Sequence, residues 1–307
     1  MLYPEIEPYD HGMLDVGDGH HVYWEVCGNP DGKPAVVLHG GPGSGCTPRA
    51  RRYFDPAAYR VVLFDQRGCG RSTPHAGRPV VDLSTNTTDH LVGDLERLRE
   101  HLGVDRWLVF AASWGSVLGL VYAQRFPHRV SEMVHAGVAT GRRAETDLLT
   151  TGLAPMFPEA HARFRELVPT GDPAAGYLEL LLDTDPAVHR RAAREWCAWE
   201  DALQPLSAGG TRFENPEHGL AFARLVTHYW AHGSWLPEGI VLEEAWKLAG
   251  IPGVIVQGTL DLGNLIGTPF DLAHAWPDAE LVLVPETPHG GSDVMTGMRR
   301  AAADKFR

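Results

Sequence analysis

Three residues of this chain have the types and the order that acyl transfer requires. Ser113 lies in Phe110-Ala111-Ala112-Ser113-Trp114-Gly115-Ser116, Asp261 in Val256-Gln257-Gly258-Thr259-Leu260-Asp261, and His289 in Val284-Pro285-Glu286-Thr287-Pro288-His289-Gly290. A serine hydroxyl becomes nucleophilic when an imidazole takes its proton, and a carboxylate holds that imidazole in the useful tautomer. The serine stretch matches the strand-to-helix elbow G-x-S-x-G, with Ala111 in place of the first glycine. Small neighbours are needed there because the turn is strained and the chain packs closely on both sides. An ordinary serine helix cap is the competing reading of the heptapeptide by itself. Asp261 and His289, each taken singly, read as surface loop residues. Their order after the serine, acid then histidine, joins the three into one candidate triad.

Short elements must position these groups. Arg106–Phe110 is an apolar run with the length and residue types of a buried strand, and Val117, Leu118, Leu120 and Val121 continue beyond the serine with helical spacing up to Pro127. Upstream, Met13–Val16 and His20–Cys27 read as two strands joined at Gly17-Asp18-Gly19, a hairpin signal. Ala35–His39 and Arg60–Phe64 are further buried strands. A helix follows, with Asn86 as its cap and Leu91, Leu95, Leu98 and Leu102 on one face. Glu132–Ala136 and Gly253–Gln257 are strands, Pro269–Ala275 a helix and Glu280–Val284 the last strand. This alternation predicts an α/β fold, a mostly parallel sheet with helices on both faces. From 138 to 246 the chain is instead helical and rich in aromatics, with Val188, Ala192, Trp196 and Trp199 on one face and Phe222, Val226, Tyr229 and Trp230 on another. The expected organisation is a core of residues 1–137 and 247–307 carrying a helical cap of residues 138–246.

Both Asp261 and His289 follow predicted strands at the sheet edge where Ser113 sits. Attack on a carbonyl also needs two backbone N–H donors for the developing oxyanion. One is expected from Trp114, directly after the serine. The other is expected from Gly41, in the loop His39-Gly40-Gly41-Pro42-Gly43 after the first parallel strand. A phosphate-binding loop competes for this stretch, but it has neither a G-K-[ST] ending nor a G-x-G-x-x-G pattern.

A formal charge of −12 opposes binding to nucleic acid or an anionic membrane. The four cysteines, Cys27, Cys46, Cys69 and Cys197, are far apart without a C-x-x-C, which suggests reduced thiols rather than a zinc site or a disulfide framework. Sixteen histidines include no H-E-x-x-H cluster, so no metal site is expected. The first residues lack the basic and apolar regions of a signal peptide, and no apolar run is long enough to span a bilayer. These features predict a cytoplasmic protein.

The segments His39–Gly43, Asp65-Gln66-Arg67-Gly68-Cys69-Gly70-Arg71-Ser72 and Ser113–Ser116 resemble the proline iminopeptidase family of α/β-hydrolases. The likeness continues at Trp196-Cys197-Ala198-Trp199-Glu200, Ala221–Arg224 and Ala275–Val282. The resemblance implies an α/β-hydrolase fold, a triad of Ser113, Asp261 and His289, no metal or organic cofactor, and a small peptide or small amide or ester as substrate. No motif specifies an oligomeric state. It also implies that Glu200, one turn beyond Trp196, holds the substrate's cationic amine. Several pocket positions depart from the family. Val226, in Leu225-Val226-Thr227-His228-Tyr229-Trp230, stands where a second acid is expected. Ala139 replaces a phenylalanine, Leu148-Leu149-Thr150 replace an aromatic cluster, and Leu262–Gly267 differ after the acid, while Trp230 stays aromatic. The first expectation is an aminopeptidase cleaving next to a small N-terminal residue, proline or a relative. An amidase, esterase or acyltransferase on a small metabolite is the alternative, and an inactive binding protein a third.

Overall fold

The computed structural model describes residues 1–204, 214–263 and 267–307. Eight strands form one sheet: β1 (Asp10–Gly17), β2 (His20–Gly28), β3 (Lys33–Leu38), β4 (Tyr59–Phe64), β5 (Trp107–Ser113), β6 (Val130–Val138), β7 (Gly253–Gly258) and β8 (Ala279–Val284), in the order β1-β2-β4-β3-β5-β6-β7-β8. The β1–β2 hairpin is antiparallel, as is the β2–β4 pair, and every later pair is parallel. The predicted α/β class and the strand sequence are therefore those observed.

Parallel strands covered on both faces read as unbroken apolar runs, and their period of two still decides which face each residue feeds. Val36, Leu38, Val109 and Ala111 point into a core built with Leu91, Leu95 and Leu98 of helix α1 (Thr88–His101) and Val117, Leu118 and Val121 of α2 (Trp114–Arg125). Their strand neighbours Ala35, Val37, Leu108 and Phe110 feed the opposite core. Helix α2 has no polar face because it is buried on all sides.

Among the described residues only helices join β6 to β7: α3 (Arg143–Asp147), α4 (Pro158–Leu167), α5 (Pro173–Leu181), α6 (Pro186–Ala202), α7 (Pro216–Ala231) and α8 (Ile240–Glu243), with short tight turns between them. Phe164, Tyr177, Trp196, Trp199, Phe222 and Val226 pack into a separate core of this segment. Val241, Ala245 and Leu248 belong instead to the core of the sheet. Helix α9 (Gly267–Ala275) precedes β8, and α10 (Asp293–Lys305) closes the chain.

One expected cap is corrected. The residue flanking α1 is Thr87, in extended conformation, and not Asn86. Asn86 is buried, its Nδ2 donating to the Arg67 carbonyl at 3.0 Å and its Oδ1 accepting from Tyr229 Oη at 2.7 Å. Two buried partners that would otherwise be orphaned outcompete the helix end for this amide. No helix among the described residues is long and apolar enough to cross a membrane.

Candidate active site

Ser113 ends β5, Asp261 follows β7 and His289 follows β8, so the parallel sheet delivers all three to one edge. Ser113 has φ 54° and ψ −127°, a conformation costing a non-glycine residue about 1–3 kcal/mol. It adjoins α2, yet its side chain makes no cap hydrogen bond. Its Oγ lies instead 3.2 Å from His289 Nε2, while His289 Nδ1 lies 2.9 Å from Asp261 Oδ2. A carboxylate only accepts, so Nδ1 carries the proton and Nε2 is left to accept from the serine. The three residues predicted as a triad are thus a continuous hydrogen-bonded chain, and the helix-cap reading fails on geometry.

Close packing explains the elbow's sequence. A Cβ on Gly115 would sit 2.2 Å from the Leu38 carbonyl oxygen, so only glycine fits where α2 crosses β3. Ala111 is a strand residue paired with Leu38 and His135, and its methyl is buried in the sheet core. The departure from G-x-S-x-G therefore adds packing and obstructs nothing.

Two supporting residues escaped the sequence reading. Gln257 Nε2 donates to Asp261 Oδ2 at 3.0 Å while its Oε1 accepts from Val138 N at 3.2 Å, which fixes the amide's orientation. Gly137 comes so near the imidazole that a Cβ there would lie 3.1 Å from His289 Cε1. Neither belongs to a recognisable local motif, because both act through the adjacency of β6 and β7. Gly263 N also donates to Asp261 Oδ1 at 3.0 Å, and the Asp261 side chain is completely shielded from solvent.

The glycine loop is fastened to the elbow. Trp114 Nε1 donates to Gln66 Oε1 at 3.0 Å, and Gln66 in turn donates to the His39 carbonyl at 3.1 Å and from its backbone to His39 Nε2 at 3.0 Å. Asp65 accepts from Cys46 N at 2.7 Å and Arg71 Nε at 2.7 Å. Burial alone would raise the Asp65 pKa, but the Arg71 and Cys46 hydrogen bonds outweigh it and hold the carboxyl below its ordinary value.

A cavity of about 210 Å³ opens above the serine and is lined by Ser113, His289, Gly41, Trp114, Ala139, Glu200 and Trp230. Glu200 is half-buried and accepts from Trp196 Nε1 at 3.2 Å, on the helical face the four-residue spacing predicts. Val226 is not among the lining residues. It is fully buried in the helical segment's core, although Phe222 and Trp230, one turn to either side, reach the cavity. The expected substrate contact at Val226 is thus replaced by a packing role, since its short side chain is enclosed by that core. Leu149 lines the cavity and Thr150 does not. Of the divergent segment 262–267, residues 264–266 lie outside the described residues. A second carboxylate, Glu145, was missed. It also lines the cavity, accepting from Thr140 N and Gly141 N, both at 2.9 Å, where β6 gives way to the helices. Among the described residues no group of three or more His, Cys, Asp or Glu side chains is arranged to hold a metal.

A family model described as alpha/beta hydrolase fold matches residues 33–293. A probable proline iminopeptidase of Streptomyces coelicolor is 58% identical, over 99% of this chain and 97% of its own length. A proline iminopeptidase of Xylella fastidiosa is 44% identical over 94% of this chain and 93% of its own. Among solved structures, a proline iminopeptidase-related protein of Thermus thermophilus superimposes with a TM-score of 0.59 at 26% identity, covering 97% of this chain and 96% of that one.

Proposed function

We propose, from the premise that this chain belongs to the proline iminopeptidase family of α/β-hydrolases, that it is a serine aminopeptidase removing N-terminal proline, or a close relative of proline, from short peptides. The observation that carries this reading is a half-buried carboxylate, Glu200, in the same cavity as the hydrogen-bonded Ser113–His289 pair. A substrate ammonium paired with Glu200 presents its first carbonyl to the serine, and partial burial strengthens that attraction.

His289 Nε2 takes the Ser113 proton as Oγ attacks the carbonyl carbon, and the oxyanion is met by the N–H groups of Trp114 and Gly41. His289 then returns the proton to the departing amine, the C–N bond breaks and an acyl-enzyme remains. A water molecule deprotonated by His289 releases the N-terminal residue and restores Ser113. Asp261 holds the imidazole tautomer throughout. Residues 138–246 act in this reading as a substrate-selecting cap on a core of residues 1–137 and 247–307. Thiols rather than disulfides at Cys27, Cys46, Cys69 and Cys197 support a cytoplasmic setting.

A second reading, an amidase, esterase or acyltransferase on a small metabolite, draws support from Ala139, whose small side chain faces the cavity. Kinetics with prolyl-naphthylamide and short p-nitrophenyl esters decide between them. We expect arylamide turnover that disappears, together with fluorophosphonate labelling, in Ser113→Ala. Turnover of esters without arylamides replaces the aminopeptidase reading with the second, and absence of labelling in the unaltered protein leaves only a binding role.

A further inference from the structure

Ser113 and His289 also line a second cavity, of about 100 Å³, whose other walls include Arg49, Tyr53, Gly137, Thr296 and Arg299. A neighbouring cavity of about 190 Å³ shares Arg49, Tyr53 and Arg299 with it. Neither contains Glu200 or Glu145, which belong to the cavity above the serine. The nucleophile and its base therefore stand between an acid-walled space and a cation-walled one.

Among the described residues, neither Arg49, which is exposed, nor Arg299, which is partly buried, has a carboxylate partner of the kind that holds Arg67 and Arg51. Arg67 is held by Asp94 at 2.7 Å and Arg51 by Glu25 at 2.8 Å. Arg299, from α10, lies over the rings of Tyr53 and Phe110, its guanidinium carbon 4.5 Å and 4.8 Å from their centroids. Its Nη1 donates to Tyr53 Oη at 3.3 Å, and its Nε is shielded from solvent without a hydrogen-bond partner. Burial lowers the Arg299 pKa, and Arg49, a second cation, adds to that effect. A guanidinium with one shielded, unused donor, on a cavity wall it shares with a second arginine, suits an anion.

We propose that Arg49 and Arg299 bind the terminal carboxylate of the peptide leaving group, so that the enzyme reads a short zwitterionic peptide from both ends. The proposal rests on the aminopeptidase reading above. A leaving group of one or two residues extends about 3–7 Å from the scissile bond, a reach suited to a small cavity that begins at Ser113 and His289. The site would thereby favour di- and tripeptides over long chains, whose carboxylate lies far away.

The test compares kcat/KM for Pro-Ala and Pro-Ala-amide, which differ only in that terminal charge. We expect the free acid to be preferred about tenfold, in line with charge-assisted hydrogen bonds to arginine. The preference should shrink with added salt and approach unity in Arg49→Gln, an exposed position. Arg299→Gln should do the same, and because the acid-to-amide ratio is taken within one protein sample, any loss of folded enzyme divides out. Equal turnover of acid and amide by the unaltered enzyme overturns the proposal and leaves the aminopeptidase reading standing; a site for free inorganic anions unrelated to substrate would give this result. A preference that persists in both variants also overturns it. Hydrolysis of p-nitrophenyl esters with no turnover of any prolyl substrate overturns the aminopeptidase reading and this proposal with it.

Discussion

At the scale of single residues, the chemistry depends on groups whose roles differ in how visible they are. The proposed triad of Ser113, Asp261 and His289 is legible because nucleophile, acid and base must be specific residue types in a specific order. Gln257 is not legible, since a glutamine at a strand end is unremarkable until β6 and the Asp261 loop flank it. Its Nε2 holds Asp261 and its Oε1 holds Val138 N, so Gln257→Leu removes one donor from a buried carboxylate and leaves one backbone donor unsatisfied. We expect kcat to fall about tenfold with KM little changed, as for loss of a hydrogen bond to a charged group. A variant with lower yield but unchanged kcat would mean that Gln257 serves folding alone. Glu145 was illegible for a related reason: its place in the cavity follows from the path of the chain after β6, which no local pattern announces.

At the scale of elements, the elbow is a packing solution as much as a chemical one. Ser113 is held in a strained conformation because β5 below and α2 above are both buried and cannot yield. Gly115 is where this constraint is tightest. Gly115→Ala would put a methyl 2.2 Å from the Leu38 carbonyl oxygen and must displace either the helix or β3. The expected result is a destabilisation of about 1–3 kcal/mol, typical of overpacking, and fluorophosphonate labelling of Ser113 reduced well beyond the loss of folded protein. Unchanged melting temperature and labelling would show that the elbow is less rigid than its packing indicates. The Asp65–Ser72 segment teaches the same lesson. It reads as a family signature in sequence, yet its visible work is mechanical. Arg67 ties the loop to Asp94 of α1, Asp65 and Arg71 hold the chain at Cys46, and Gln66 joins the glycine loop to Trp114.

At the scale of the whole molecule, burial on both sheet faces has an electrostatic consequence. His135, on β6, is completely buried, both ring nitrogens lack partners, and Trp276 stands edge-on at 6.2 Å. Burial pushes its pKa down from the ordinary 6.5 to about 3. The unfolded chain takes up this proton below about pH 6.5 and the folded chain does not until about pH 3, so stability is lost as pH falls through that window. At pH 5 the penalty from this one group is about 2 kcal/mol. Urea unfolding at pH 7.5 and pH 5 should show a loss larger by about that amount in the native chain than in His135→Leu. Equal losses in the two would assign the acid sensitivity to other groups. The sequence by itself determined the α/β class and the strand order along the chain, and it offered the elbow and the proposed triad, because periodicity, turn residues and an ordered set of reactive groups are all local or nearly local signals. Tertiary structure alone decided what stands around Ser113: Val226 turned into the helical core, Glu145 brought into the same cavity as Glu200, and Arg49 and Arg299 placed on the walls of a second cavity that Ser113 also lines. These depend on which distant segments the parallel sheet brings together, and no spacing along the chain records that.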